Sequence, residues 1–233
     1  MGAVAGPVTP DWHVRRTVDL SHPVEDGMPV YPGDPAVRIS PATTIGEHGY
    51  NVLHLHLGSQ SGTHVDAPYH FLEGGARIDE LPLELFLGPA LVVDVRGKRP
   101  REAITWADLA PHAGQLGPDR RLVLHTGWDA HWRSERSLAH PFLSGDAAER
   151  IVALGVRTVA IDALSLDETV PGGAGEGGFA AHAAVLGAGG VIVENLRGLA
   201  ALHTATPVLS VLPLRLAGGD GAPVRAVALE LEA

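Results

Sequence analysis

His64, Asp66 and His70 fall within seven positions of one another, inside the stretch Gly-Ser-Gln-Ser-Gly-Thr-His-Val-Asp-Ala-Pro-Tyr-His-Phe that spans residues 58–71. Imidazole nitrogen and carboxylate oxygen are donors that zinc and manganese accept readily. His64 and Asp66 are two apart, and in an extended segment that spacing sends both side chains to one face. Gly62 permits close backbone approach, and Pro68 stiffens the exit from the segment. The pattern predicts a rigid loop whose donors converge on a point. A polar turn in which each ring serves a nearby backbone group explains any one of these histidines. It explains the cluster less well.

A fold of some size must hold that loop. The chain has 233 residues, 45% hydrophobic and 19% charged, enough for one large domain with a substantial core. The formal net charge of -10 argues against nucleic acid, whose binders carry a basic stripe, and against anionic membrane surfaces. There is no cysteine, which excludes disulfides and thiolate chemistry and fits a cytoplasmic protein. No apolar run reaches membrane-spanning length, and residues 1–12 lack the basic and apolar regions of a signal peptide.

Along the chain, residues 1–16 read as a loose tail and 17–233 as a single domain. Residues 22–35 hold four prolines and two glycines, which excludes a helix or a central strand. That leaves a long loop of the sort that carries function. Its large side chains, Met28 and Tyr31, either line a pocket or anchor the loop. Residues 37–40 and 51–57 read as paired strands. In the second, Leu53 and Leu55 alternate with His54 and His56, which we place on a solvated face. Further strands are expected at 91–95, 121–125, 156–164, 190–195, 207–216 and 224–231. Thr105 and Asp108 have capping-box spacing, and Ser144 caps a helix ending before Gly155. Residues 171–178 form a glycine-rich stretch that fits no phosphate-cradling pattern and reads as a mobile loop or lid. His182 follows on a short helix. The strand at 190–195 buries Glu194 among aliphatics, which requires a metal or an arginine nearby. Strands outnumber helices, so a strand-rich mixed α/β sheet with few short helices is expected. His13, His48, His112, His131, His140 and His203 sit in polar contexts and read as surface residues. Asp162 and Asp167, beside Ser165, fit no pattern of nucleophilic catalysis.

The segment from Gln60 to His70 resembles the signature of the metal-dependent cyclase family, which includes bacterial kynurenine formamidases and isatin hydrolases. The family pattern is His-x-Gly-Thr-His-x-Asp-x-Pro-x-His. Asp19-Leu-Ser with Pro29-Val-Tyr-Pro-Gly-Asp is similar to its N-terminal loop, Thr126-Gly-Trp to its mid-chain strand end, and His182 through Glu194-Asn-Leu to its C-terminal ligand segment. The resemblance implies a swivelling β/β/α fold, a homodimer or homotetramer, and one or two divalent ions, zinc or manganese, per chain. It implies that His64 and Asp66 are ligands, with Asp66 able to bridge. His182 and Glu194 supply the remaining ligands, and His70 is the catalytic acid/base. Tyr31 stands where formamidases place a substrate-stacking tryptophan. The chain departs from the pattern at Gln60, which occupies the position of a histidine ligand. A neutral amide oxygen is a poorer ligand than imidazole.

The implied activity is hydrolysis of a small amide by metal-activated water, foremost an aryl formamide such as N-formylkynurenine. Hydrolysis of a cyclic amide or lactone, or a cyclase or dehydratase reaction, is the alternative within the enzymes. A non-catalytic small-molecule binder on the same scaffold is the alternative outside them.

Overall fold

A computed structural model describes residues 13–170 and 173–232 of the chain. The strands of its N-terminal half are β1 (His13–Asp19), β2 (Arg38–Thr43), β3 (Val52–His56), β4 (His64–Asp66), β5 (Leu87–Asp94), β6 (Ala103–Ile104) and β7 (Arg121–His125). They continue with β8 (Phe142–Leu143), β9 (Thr158–Ile161), β10 (Thr169–Val170), β11 (Gly173–Ala174), β12 (Val191–Glu194), β13 (Val208–Ser210), β14 (Gly221–Pro223) and β15 (Val227–Glu232). The α-helices are short: α1 (Ile45–His48), α2 (Trp106–Leu109), α3 (Gly145–Ala153) and α4 (Ala180–Gly187).

Nine strands form one mixed sheet in the order β1-β15-β13-β5-β7-β9-β12-β4-β14. The run β5-β7-β9-β12 is parallel, and the strands on both sides of it are antiparallel. The expected strand-rich α/β architecture is the one found. Central parallel strands must be apolar on both faces, since both are covered. Accordingly, Leu122 and Leu124 of β7 pack into one core cluster with Ala147 and Ile151 of α3 and Val185 of α4. Val123, between them, packs into a second cluster on the opposite face with Val65, Val193 and Leu209.

The local signals hold at both predicted caps. The Asp108 carboxylate accepts the Thr105 N–H at 2.7 Å at the start of α2. Ser144 Oγ accepts the Ala147 N–H at the start of α3. Residues 13–16, expected in the loose tail of residues 1–16, instead open β1, which pairs with β15. Residues 1–12 of the expected tail, and Pro171 and Gly172 of the expected lid, are outside the described residues.

One expectation about exposure needs correction. His140, read as a surface residue, is 1% exposed. Its Nδ1 meets the Pro141 carbonyl at 2.8 Å and its Nε2 meets Thr169 Oγ1 at 2.9 Å, so both ring nitrogens are engaged and the ring can be buried. In the β2–β3 hairpin the histidine face is exposed as expected, but the leucine face is exposed too, with Leu53 at 60% and Leu55 at 54%. The hairpin forms a sheet of its own, with neither face against the domain core.

Candidate metal centre

Register brings the donors together. β4 runs antiparallel to β12, with His64 directly opposite Glu194. Residues opposite each other across two strands share a face, and Asp66 shares it with His64 by the two-residue period. The third element is α4, whose first turn carries His182 toward the same point. All four side chains are buried, none of the residues more than 5% exposed.

One ligand atom each from His64, Asp66 and Glu194 can be chosen so that all lie within 4.8 Å of one another. Each carboxylate divides itself between the two rings. Asp66 Oδ1 is 3.2 Å from His64 Nε2, and Oδ2 is 3.6 Å from His182 Nε2. Glu194 Oε2 is 3.6 Å from His64 Nε2, and Oε1 is 3.3 Å from His182 Nε2. Glu194 Oε1 also accepts the Leu166 N–H at 2.7 Å. Both oxygens of Asp66 are buried without a hydrogen-bond donor. A buried carboxylate left so is costly unless a cation engages it. The residues therefore fit a divalent ion by donor type, separation and unspent acceptor capacity.

The electrostatics agree. Burial works against a charged His64 ring, yet Asp66 and Glu194 outweigh it and push its pKa up to about 9. His182 is likewise raised despite burial, by Asp167, Asp66 and Glu194. Asp66 is held below the usual carboxylate range by the His64 and His182 rings, although burial opposes this. The site's field favours positive charge at its centre.

Backbone and side-chain partners fix both rings. His64 Nδ1 donates to the Gly62 carbonyl at 2.8 Å, which leaves Nε2 for the centre. Asn195, itself left-handed at φ 56°, donates from Nδ2 to the same carbonyl. His182 Nδ1 meets Asp167 Oδ2 at 2.6 Å. Asp167 also accepts the N–H groups of Ala181 and His182, so one carboxylate caps α4 and orients its histidine. Gly62 is left-handed at φ 68°, and a Cβ there would come 2.8 Å from Met28 Cε. Met28 is buried and so anchors its loop, whereas Tyr31 of that loop lines the cavity.

His70 stands beside the cluster, not in it. Its Nδ1 is 3.1 Å from Asp220 Oδ2. Asp220 also accepts from Ser59 Oγ at 2.7 Å and from Gln60 Nε2 at 2.8 Å. These contacts, His70 foremost, hold the Asp220 carboxyl well below its ordinary range. Burial opposes charge on His70, but Asp220 and Asp66 prevail and raise its pKa. An ionised Asp220 takes the Nδ1–H of His70 and leaves Nε2 as the working nitrogen. Gln60, at the position of the family's histidine, is thus committed through its amide nitrogen to Asp220. Its Oε1 is buried without a hydrogen-bond partner and is the one atom it can offer an ion.

A cavity of about 210 Å³ opens onto His64, His70, His182 and Glu194, with Tyr31, Phe71, Leu164 and Phe179 among its walls. Phe71 packs against His182 with ring centroids 4.7 Å apart, and Phe179 meets Phe71 edge-on at 5.0 Å. The structure thus gathers every sequence-derived site residue at one place. Asp167 and Asp220 were missed. Asp220 follows Gly218 and Gly219 in a turn, 150 residues along the chain from His70, and no local pattern ties the two.

Residues 18–168 match the family model described as putative cyclase. A kynurenine formamidase from Paracidovorax citrulli is 35% identical over 226 residues, covering 91% of this chain and 96% of that protein. The chain belongs to the cyclase family. Among solved structures, isatin hydrolase A from Labrenzia aggregata superposes with a TM-score of 0.82 at 24% identity, covering 92% of this chain and 93% of that one. That likeness establishes the cyclase fold. A second structure, of a potential metal-dependent hydrolase with cyclase activity, has a TM-score of 0.77 at 28% identity and covers 94% and 99% of the two chains.

Proposed function

We propose that this cyclase-family chain is a metal-dependent hydrolase of a small amide, foremost an aryl formamide such as N-formylkynurenine. The observation that carries this reading is the His64–Asp66–Glu194 triad, with neither Asp66 oxygen hydrogen-bonded, set beside a paired histidine in an aromatic-walled cavity. Relatives named kynurenine formamidase, at 31–35% identity, support the substrate class.

His64, Asp66, His182 and Glu194 are the residues we assign to the ion. Zinc and manganese both accept this donor set, and the two-sided disposition of the carboxylates suits either one ion or two. A divalent ion held there supplies Lewis acidity, polarising a carbonyl and making water a nucleophile near neutral pH. The chain's own residues do the rest. Tyr31, Phe71, Phe179 and Leu164 wall a flat substrate away from water. Asp220 holds His70 in the tautomer with Nδ1 protonated, so Nε2 can take a proton and later give it to the leaving amine. General acid–base catalysis of this kind contributes roughly 10²–10⁴-fold.

The reading extends to assembly as a homodimer or homotetramer, which the exposed leucine face of the β2–β3 hairpin supports.

The test is elemental analysis of protein purified without chelator, joined to turnover on formanilide and N-formylkynurenine. One or two zinc or manganese ions per chain with formamide turnover is the expected result, one ion meaning that Gln60 has removed a site. No bound ion after adding metal back would sink the hydrolase reading in favour of a binding protein.

A further inference from the structure

The cavity holds one charged side chain that neither the metal cluster nor the His70–Asp220 pair uses. Asp34 lines it on the same loop as Tyr31. Among the described residues its carboxylate has no hydrogen bond and no salt bridge. The loop cannot easily carry it elsewhere. Pro32 and Pro35 flank it, and the Asp34 N–H donates back to the Tyr31 carbonyl at 3.0 Å. A proline-stiffened turn thus holds an unpaired acid at the wall of a small pocket.

The rest of the inventory is one-sided. The chain has 17 lysines and arginines, and none lines the cavity. Residues 1–12, 171, 172 and 233 include no lysine or arginine either, so no part of this sequence outside the described residues can add one. Asp66 and Glu194 already match the charge of one divalent ion. A substrate carboxylate placed against the Tyr31 wall would meet Asp34 with no lysine or arginine to offset it, the His64 and His70 rings being the nearest opposing charges and already facing the carboxylates of the site. A protonated amine there would meet an acceptor with free lone pairs in a partly desolvated pocket, where such pairs are strongest.

We propose that Asp34 is a specificity-determining residue that selects aryl amides bearing a protonated amine and rejects those bearing a carboxylate at the same position. This rests on the hydrolase reading above, and its test keeps the two apart.

Three formanilides of matched size, carrying an aminomethyl, a hydroxymethyl or a carboxyl group on the ring, are compared on wild-type and Asp34→Asn protein loaded with metal. For the wild type, kcat/KM for the aminomethyl compound should exceed that for the neutral one by about tenfold, with the carboxylate lowest. In Asp34→Asn the amine advantage should collapse, the neutral substrate should stay within about threefold, and metal content should not change. Raising the salt concentration should shrink the wild-type preference. Equal loss on all three substrates, falling metal content, or a wild type without amine preference would each overturn the proposal. If no formamide is turned over, the hydrolase reading fails by itself. Calorimetric binding of the corresponding anilines then decides: about tenfold tighter binding of the aminomethyl aniline to wild type than to Asp34→Asn upholds Asp34, and equal binding rejects it.

Discussion

His70 and Asp220 separate two ways in which a histidine can matter. A ligand fails when the ion leaves, whereas an acid/base residue fails with the ion in place. His70→Ala should therefore keep its metal and lose at least about 10²-fold in kcat. Asp220→Asn should also retain metal and KM, with kcat reduced about tenfold or more, because the amide can donate to His70 Nδ1 and so favour the wrong tautomer. Nitrogen chemical shifts of the His70 ring would report that change independently of turnover. If metal content fell in either variant, the assignment to the acid/base pair would be wrong. His64 and Asp66 were legible in the sequence because strand periodicity makes i and i+2 share a face. Asp167 and Asp220 were not, since they act on rings supplied by other elements and mark themselves only by distance in space. His140 misled in the opposite sense: a polar context suggested exposure, but Thr169 and the Pro141 carbonyl satisfy both nitrogens and let the core close over it.

Contacts from distant elements order the loop that follows β1. The loop after β1 is tied down where the His22 N–H donates to Thr63 Oγ1, which in turn donates to the Asn195 carbonyl at 2.6 Å. The His22 ring stacks on Trp132 at 4.1 Å. Burial, with help from Arg197, lowers the His22 pKa to about 4. A histidine depressed in the folded state binds its proton more readily when unfolded. Its contribution is thus intact above the unfolded value of about 6.5, drains away as pH falls toward 4, and levels off below that. Denaturant unfolding across that window should show an acid loss that His22→Phe, which keeps the stacking, no longer shows. A variant with the same pH slope as wild type would remove His22 from the account. The prolines and glycines of residues 22–35 announced an ordered loop, but the partners that order it lie at residues 63, 132 and 195, beyond the reach of any local pattern.

The described surface carries an unusual apolar feature. Ile45, Tyr50, Leu53 and Leu55 are all more than half exposed, and all belong to the β2–β3 hairpin or its connection. Alternation separated the leucine face from the histidine face, and both stand exposed on the hairpin. Leu53→Asp with Leu55→Asp should lower the mass seen by sedimentation while leaving the circular dichroism spectrum unchanged. An unaltered mass would mean that the hairpin takes no part in assembly. The sheet itself was readable as a class because apolar central strands and sparse helices leave few alternatives. Its strand order was not, because β4, β12 and β14 come from distant parts of the chain and each is only three or four residues long.

That shortness hides a constraint on β4. It is hydrogen-bonded on both sides, to β12 and to β14, while supplying two donors to the centre. Proteins breathe first at loops and termini and last in paired core strands. The backbone beneath His64 and Asp66 can open only by unzipping the sheet, so an ion bound there would leave by way of the cavity mouth and side-chain motion. Its residence time would then be set by the ligands themselves, and slow amide exchange across residues 64–66 would persist whether or not the ion is bound.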